Sequence, residues 1–155
     1  MLPALNSLER LRDHALLGFR AVAGGTVLFY GAAELAAGEP AWRTLGAALG
    51  ATAEGAGAKL SGGAAAMLLA LGGAAVVAGV WTRWAAVVLA ACAGCAAALC
   101  WPAVQDGTLT SAAAFFYPAT MVAAFGLLAT LGSGRFGIDA VYRARQKRKR
   151  RRPSA

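Results

Sequence analysis

Three long stretches of the chain contain no charged side chain. They cover residues 60–82, 84–105 and 107–134. A helix needs about 20 apolar residues to cross the hydrocarbon core of a bilayer, and each stretch exceeds that length. A helix on the surface of a water-soluble protein would show polar residues along one face, and these stretches show none. The pattern therefore predicts several membrane-spanning helices.

A further apolar run closer to the N-terminus adds one more span. It covers residues 16–37 and carries Arg20 and Glu34 near its two ends. In a helix these two residues lie about 21 Å apart, so they cannot pair and each can extend towards its own interface. The sequence thus predicts four spans, at about residues 16–37, 61–81, 84–103 and 112–132.

The segments around the spans complete the predicted architecture. Residues 1–15 are expected to form an amphipathic lead-in, residues 16–140 the membrane domain and residues 141–155 a basic tail. Between the first two spans, Trp42, Leu45 and Leu49 recur at helical spacing, which is typical of an interfacial helix on the bilayer surface. The fold class is all-α: an integral membrane four-helix bundle with an interfacial helix after the first span and a basic cytoplasmic tail.

The abundance of alanine and glycine in the spans predicts close helix packing. Small residues allow helix backbones to approach one another in lipid. Only Thr82 and Arg83 separate the apolar runs of the second and third spans. We therefore expect those two helices to be antiparallel neighbours and the closest pair in the bundle.

The charge of the chain is concentrated at one end. The net charge is +8, and the segment 143–152 holds eight basic residues and no acid, so the remainder is neutral. With four spans, thirteen of the basic residues fall on the side of the termini and two on the other. The positive-inside rule then predicts a protein of the cell membrane with both termini in the cytoplasm. The tail is expected to contact anionic lipid headgroups rather than nucleic acid, because no groove-reading motif accompanies it.

Cys92 and Cys95 are the sharpest candidates for redox chemistry. Their spacing places both thiols on one face of the third span. A dithiol in the membrane could exchange electrons with a quinone. The alternative is that both residues only pack, because cysteine suits an alanine-rich helix and the reactive thiolate is unfavourable near the bilayer midplane.

Two further sets of residues are candidates for binding or for stabilising the bundle. Glu34 could relay protons or bind a headgroup, and Tyr30 lies one turn earlier on the same span. An ionic latch on the cytoplasmic side is expected from Arg20, Arg83, Arg135 and Asp139. A quinone or lipid-phosphate site is the functional alternative to that latch. Arg83 is therefore grouped with Glu34 and Tyr30 as a candidate cofactor-binding residue. The single histidine and the scattered carboxylates predict no metal site.

Several short motifs follow one another along the chain. The segment Arg20–Phe29 holds an arginine, a glycine and an aromatic, and it is followed by Gly31–Leu35 and Trp42–Gly46. Next come Gly72-Gly73, Gly79, Thr82–Ala86, Tyr117-Pro118 and Gly132–Asp139. This order resembles the DoxX family of small membrane proteins, which typically shows a Gly-x-x-Lys-Leu step, a Trp-x-x-Leu-Gly element, a Thr-Arg-x-Ala-Ala element and a Gly-x-Gly-Arg ending at the corresponding places.

The resemblance covers about residues 16–140, and the chain departs from the family pattern at three places. Glu34 replaces a lysine, Leu69 replaces an acid, and a histidine at the end of the third span is missing near Cys100. The family implies association with redox membranes. Some members resemble the small subunit of thiosulfate:quinone oxidoreductase, and others bring soluble enzymes to the membrane.

Three functions are therefore expected in order of preference. The first is an accessory or anchoring subunit of a quinone- or thiol-linked redox system, with redox-complex subunits as partners and quinone as the candidate cofactor. The second is a small quinone-linked thiol or thiosulfate oxidoreductase that acts through Cys92 and Cys95. The third is a module that binds lipid or another small molecule in the membrane.

Overall fold

The computed structural model describes residues 2–51, 55–104, 109–132 and 137–138. Within these ranges the chain is helical and contains no strand. The helices with bounds inside these ranges are α1 (Leu2–Ala37), α2 (Glu39–Ala48), α3 (Ala56–Ala78), α4 (Thr82–Val104) and α5 (Leu109–Leu131). The all-α prediction is confirmed for this part of the chain.

Four of these helices are long and apolar enough to cross a membrane. The candidate spans are Leu11–Ala37, Ala56–Ala78, Thr82–Trp101 and Ala114–Leu131. They coincide with the four predicted spans, and they mark a multi-pass membrane protein. The identity of the membrane and the side that holds the termini stay predictions.

The structure describes some of the predicted segments outside the spans and not others. The predicted lead-in is helical from residue 2 and continues without a break into the first span as α1. A short helix, α2, occurs where an interfacial helix was predicted, and its position on the bilayer surface stays a prediction. The basic tail at 141–155 lies outside the described residues.

Glycines in the left-handed conformation end α3 and α5. Gly79 has φ 73°, and its amide donates to the carbonyl of Ala75 over 2.9 Å. Gly132 has φ 74°, and its amide donates to Leu128 over 2.8 Å. Such a glycine satisfies the last carbonyls of a helix without the strain that a side chain would suffer there. Gly132 thus ends the helix of the fourth span.

The closest helix pairs are α1 with α3 and α4 with α5, whereas α3 and α4 make fewer contacts. The expectation that the second and third spans pack closest is therefore wrong. A tight turn makes helices neighbours, but small residues at the interface decide how near their backbones come. A Cβ atom at Gly73 would lie 2.5 Å from the amide nitrogen of Leu28, so α1 and α3 are in backbone contact. Between α3 and α4 the Leu89 side chain fills the space against Gly72.

The short helix α2 lies on the first half of α3. Gly46 faces the backbone of Ala58, and Gly62 faces the carbonyl of Trp42, and neither site has room for a Cβ atom. The Trp42 indole nitrogen also donates to the carbonyl oxygen of Glu34 over 2.9 Å. These contacts tie α2 to the end of α1 and to the start of α3.

The buried core is concentrated at one end of the bundle. Its largest fully buried side chains are Phe125, Leu89, Leu128 and Val76, and they form a cluster with Ala23, Val27 and Ala86. We call this end, where α1 passes Arg20 and where α3 and α5 finish, the Arg20 end. The opposite end, where α1 finishes and α3 begins beside α2, is called the α2 end.

Candidate functional site

Arg20 is buried inside the bundle at the Arg20 end. Only 2% of its surface is exposed, and its Nη2 donates to the carbonyl oxygen of Val77 over 3.2 Å. Val77 lies in the last turn of α3, where carbonyl oxygens lack partners within the helix. A cation there also faces the negative end of the helix dipole. Arg20, on α1, thus supplies a hydrogen-bond donor and a positive charge to the carbonyl end of α3.

Two glycines make room for arginines at this end. A Cβ atom at Gly79 would lie 2.8 Å from Nη1 of Arg20 and 2.7 Å from Cα of Gly137. A Cβ atom at Gly132 would lie 3.0 Å from Nε of Arg83. The glycines that end α3 and α5 are therefore also the points at which the guanidinium groups approach the backbone.

This arrangement covers only part of the predicted ionic latch. Arg20 and Arg83 both lie at the Arg20 end, in contact with glycines of α3 and α5. Arg135 and Asp139, the other two members, lie outside the described residues. Gly137, which stands between them in the chain, is close to Gly79 and hence to Arg20. The latch itself stays a prediction.

Tyr30 and Glu34 form a second polar site near the α2 end. The phenol and the carboxylate are about one turn apart on α1 and lie within electrostatic reach of each other, as Tyr117 of α5 does of Tyr30. Tyr30 is 46% exposed and Tyr117 is 51% exposed. We call Tyr30, Glu34 and Tyr117 the phenol–carboxylate cluster. Both tyrosines are open towards the surroundings of the bundle.

Aromatic rings continue from this cluster along α4 and α5. Trp101 and Phe115 make an edge-to-face contact with ring centroids 5.3 Å apart. Phe115 and Phe116 make another at 5.6 Å. Phe116 precedes Tyr117 directly in the chain and is 61% exposed. Such rings offer faces on which a planar ligand can stack.

Arg83 does not belong to the cluster, although it was grouped with Tyr30 and Glu34 as a candidate binding residue. It is the second residue of α4 and contacts Gly132 at the Arg20 end. Arg20, at that same end, is about 21 Å from Glu34 along α1. One small headgroup therefore cannot contact Arg83 and Glu34 together.

The predicted dithiol lies in the middle of α4. Cys92 and Cys95 are both free, with Cys92 half-buried and Cys95 exposed. The two side chains lie within electrostatic reach of each other. The buried face of α4 carries Ala86, Leu89 and Ala97, so Cys95 points away from the core. The half-buried Cys92 and the exposed Cys95 thus lie close together on α4. Their redox role stays a prediction.

A third charged group lies on the surface of α2 and the start of α3. Glu39 accepts from Nη2 of Arg43 over 2.7 Å and from Nζ of Lys59 over 2.9 Å. These hydrogen bonds, first from Lys59 and then from Arg43, hold the pKa of Glu39 below its ordinary value. The group joins α2 to α3 on the outside of their glycine contact.

Sequence reasoning missed Tyr117 as a partner of Tyr30 and missed Val77 as the acceptor for Arg20. In the sequence, Tyr117 stands out only as part of the Tyr117-Pro118 motif. Its position beside a proline in the fourth span was a signal, but pairing it with Tyr30 needs the packing of α5 against α1. Among the described residues, no group of three or more His, Cys, Asp or Glu side chains could hold a metal ion.

The comparisons with known proteins add no relative to this description. No family model, no curated protein and no solved structure matches the chain. The resemblance to the DoxX family therefore rests on the quoted motifs and their order. Its functional implications are proposals.

Proposed function

We propose that this chain is a DoxX-like accessory subunit that anchors a partner of a quinone- or thiol-linked redox system in the membrane. The observation that supports this proposal is the phenol–carboxylate cluster. Tyr30 and Glu34 lie within electrostatic reach of each other in a span, Tyr117 on α5 lies within electrostatic reach of Tyr30, and both phenols are about half-exposed. An ionisable side chain within a membrane span costs free energy, and proteins that keep one there use it. Glu34 is therefore a functional candidate.

The chemistry of the cluster suits a quinone headgroup. A phenol can donate a hydrogen bond to a quinone carbonyl, and an ionisable carboxyl can supply or accept a proton. Phe116 and Trp101 add exposed aromatic surface next to Tyr117. A planar ring could stack there while its carbonyl contacts Tyr30.

The same chemistry favours an accessory role. Reduction of a quinone to a quinol consumes two electrons and two protons. Tyr30 and Glu34 can position the ring and move protons, but the electrons must come from a donor in a partner protein. The subunit would hold the quinone and the partner near each other, which raises their effective concentration.

Quinone binding tests the cluster directly. A short-chain quinone is titrated into the purified protein, and quenching of tryptophan fluorescence gives the Kd. We expect Tyr30→Phe to weaken binding by about fivefold to tenfold, the loss of one hydrogen bond. Phe29→Leu is the matched control, because Phe29 is the 78% exposed neighbour of Tyr30. Equal Kd values for the wild type and Tyr30→Phe would contradict the proposed site.

The accessory role has its own test. Membranes are crosslinked, solubilised in mild detergent and purified through a tag on the chain. A redox protein that co-purifies in a fixed ratio supports the proposal. A chain that is always recovered alone, under conditions that preserve other membrane complexes, contradicts it.

A thiol enzyme is the second candidate, and the position of Cys95 favours it. Cys92 and Cys95 are free and one turn apart, and Cys95 is exposed on the lipid-facing side of α4. In that reaction the dithiol would give two electrons and two protons to a quinone and become a disulfide. Replacing both cysteines with serine would abolish thiol-dependent quinone reduction, whereas Cys100→Ser would leave it unchanged. Activity that survives the double replacement removes this candidate.

A further inference from the structure

A groove runs between α1 and α5 at the Arg20 end. This open groove has a volume of about 230 Å³ and is lined by Arg12, Ala15, Leu16, Phe19, Leu127 and Leu131. Five of these six side chains are apolar. The sixth, Arg12, is exposed and lies in the part of α1 that precedes the buried Arg20. The groove therefore has a long apolar wall and a cation at one end.

The position of the groove along α1 corresponds to the boundary between headgroups and acyl chains. Arg12 and Phe19 are about 10 Å apart along the helix. The candidate span that contains them, Leu11–Ala37, has 27 residues and is about 40 Å long, which exceeds the hydrocarbon core of about 30 Å. Arg12, one residue from the end of that span, then lies at the depth of lipid phosphates, and Phe19 lies at the depth of the first acyl carbons.

Charge selects between the lipids that could enter. Arg12 is at the groove, and the sequence places thirteen of the fifteen basic residues on this side of the membrane. A guanidinium recognises a phosphate through paired hydrogen bonds. A zwitterionic headgroup presents its own cation beside its phosphate, so it gains less from a basic site than an anionic headgroup does.

We propose that the groove between α1 and α5 binds one anionic glycerophospholipid. Its phosphate pairs with Arg12, and one acyl chain lies over Leu16 and Phe19 of α1 and Leu127 and Leu131 of α5. The described contacts between α1 and α5 are few, so the acyl chain would fill space that protein side chains leave open. The site is separate from the phenol–carboxylate cluster, and it holds whether or not that cluster binds quinone.

Native mass spectrometry of the full chain tests the proposal. The protein is purified in detergent and titrated with phosphatidylglycerol, with phosphatidylcholine of the same acyl chains, or with inorganic phosphate. We expect one tightly bound phosphatidylglycerol, with phosphatidylcholine about tenfold weaker and phosphate alone not retained. Arg12→Gln should weaken phosphatidylglycerol by about fivefold to tenfold. Arg43→Gln is the matched control, since Arg43 is exposed and paired at the α2 end.

A second variant tests the apolar wall without changing any charge. Leu127→Trp fills the groove and should reduce lipid retention at least as much as Arg12→Gln does. Leu71→Trp, at a position 67% exposed on α3, is its control and should bind as the wild type does. The basic tail is intact in all four variants. Its own attraction for anionic lipid is therefore the same in each variant and its control, and it does not contribute to the difference between them. Equal binding of the two lipids, or equal retention by Leu127→Trp and Leu71→Trp, would overturn the proposal.

Discussion

Gly31 of α1 lies against Ala70 of α3 so closely that no side chain fits between the two backbones. A Cβ atom at Gly31 would lie 2.9 Å from Cα of Ala70 and 2.9 Å from the carbonyl oxygen of Ala66. The obstacles are backbone atoms, which cannot rotate away as the tip of a side chain can. The contact fixes the distance between α1 and α3.

Replacing Gly31 with alanine should therefore force the two helices apart. We expect a loss of about 1–3 kcal/mol in the free energy of unfolding, as for other overpacked sites. Gly25→Ala is the matched control on the same helix, because nothing lies within 4 Å of a Cβ atom there. That variant should be neutral or gain up to about 1 kcal/mol in helix propensity. Unfolding in mixed micelles measures both, and equal stabilities would contradict the contact.

Arg20 should contribute to stability through the end of α3. Arg20→Gln removes a charged donor from the Val77 carbonyl and from the end of the helix dipole, with an expected loss of about 1.5–3 kcal/mol. Arg20→Lys keeps the charge and should recover part of that loss. Thermal unfolding in detergent compares the three proteins. A Gln variant as stable as the wild type would show that the hydrogen bond contributes nothing.

Gly79→Ala should be more harmful than the same change at another glycine with positive φ. The left-handed conformation alone costs a residue with a side chain about 1–2 kcal/mol. At Gly79 the new methyl group would also meet Arg20 and Gly137. Gly50 follows α2 with the same pair of backbone hydrogen bonds as Gly79 after α3, has φ 90° and has nothing within 4 Å of a Cβ atom. Gly50→Ala therefore isolates the conformational cost. If both variants lose the same stability, the space around Gly79 is larger than described.

Acidification should loosen α2 from α3 through Glu39. Its pKa is lowered by Lys59 and Arg43 in the folded protein, so its pairing is fully present above its unfolded pKa of about 4.3. The contribution is lost as the pH falls from there through the lower folded pKa. Hydrogen exchange of α2 amides, measured between pH 6 and pH 3 and corrected for intrinsic rates, should show protection falling in that window. In Glu39→Gln the step should vanish, and an unchanged step would assign it to another group.

The spans could be predicted from the sequence because their cause is local. The length of each span can be read from consecutive apolar residues, and the glycine at position 132 itself adopts the turn that ends its helix. The choice of helix neighbours could not be predicted in the same way. It depends on which small residues face each other, and Gly31 and Ala70 belong to two helices that are far apart in the sequence.

The candidate sites also differ in whether their residues lie on one helix or on several. Cys92 with Cys95 and Tyr30 with Glu34 are each about one turn apart on a single helix, so the spacing alone predicted that each pair shares a helix face. Tyr117 on α5 lies within electrostatic reach of Tyr30, and spacing along the chain cannot predict such a relationship between distant segments. Conversely, Arg83 was grouped with Glu34 by chemistry, although they belong to opposite ends of the bundle.

The hydrogen bond between Arg20 and Val77 sets a condition on biosynthesis. The acceptor lies 57 residues after the donor, so the first span enters the bilayer well before the helix end that will hold its arginine exists. Until α3 arrives, the guanidinium has to extend to water or to lipid phosphate. Docking of α3 then draws a charge away from the interface, and that transfer would occur only when the second hydrophobic segment is completed.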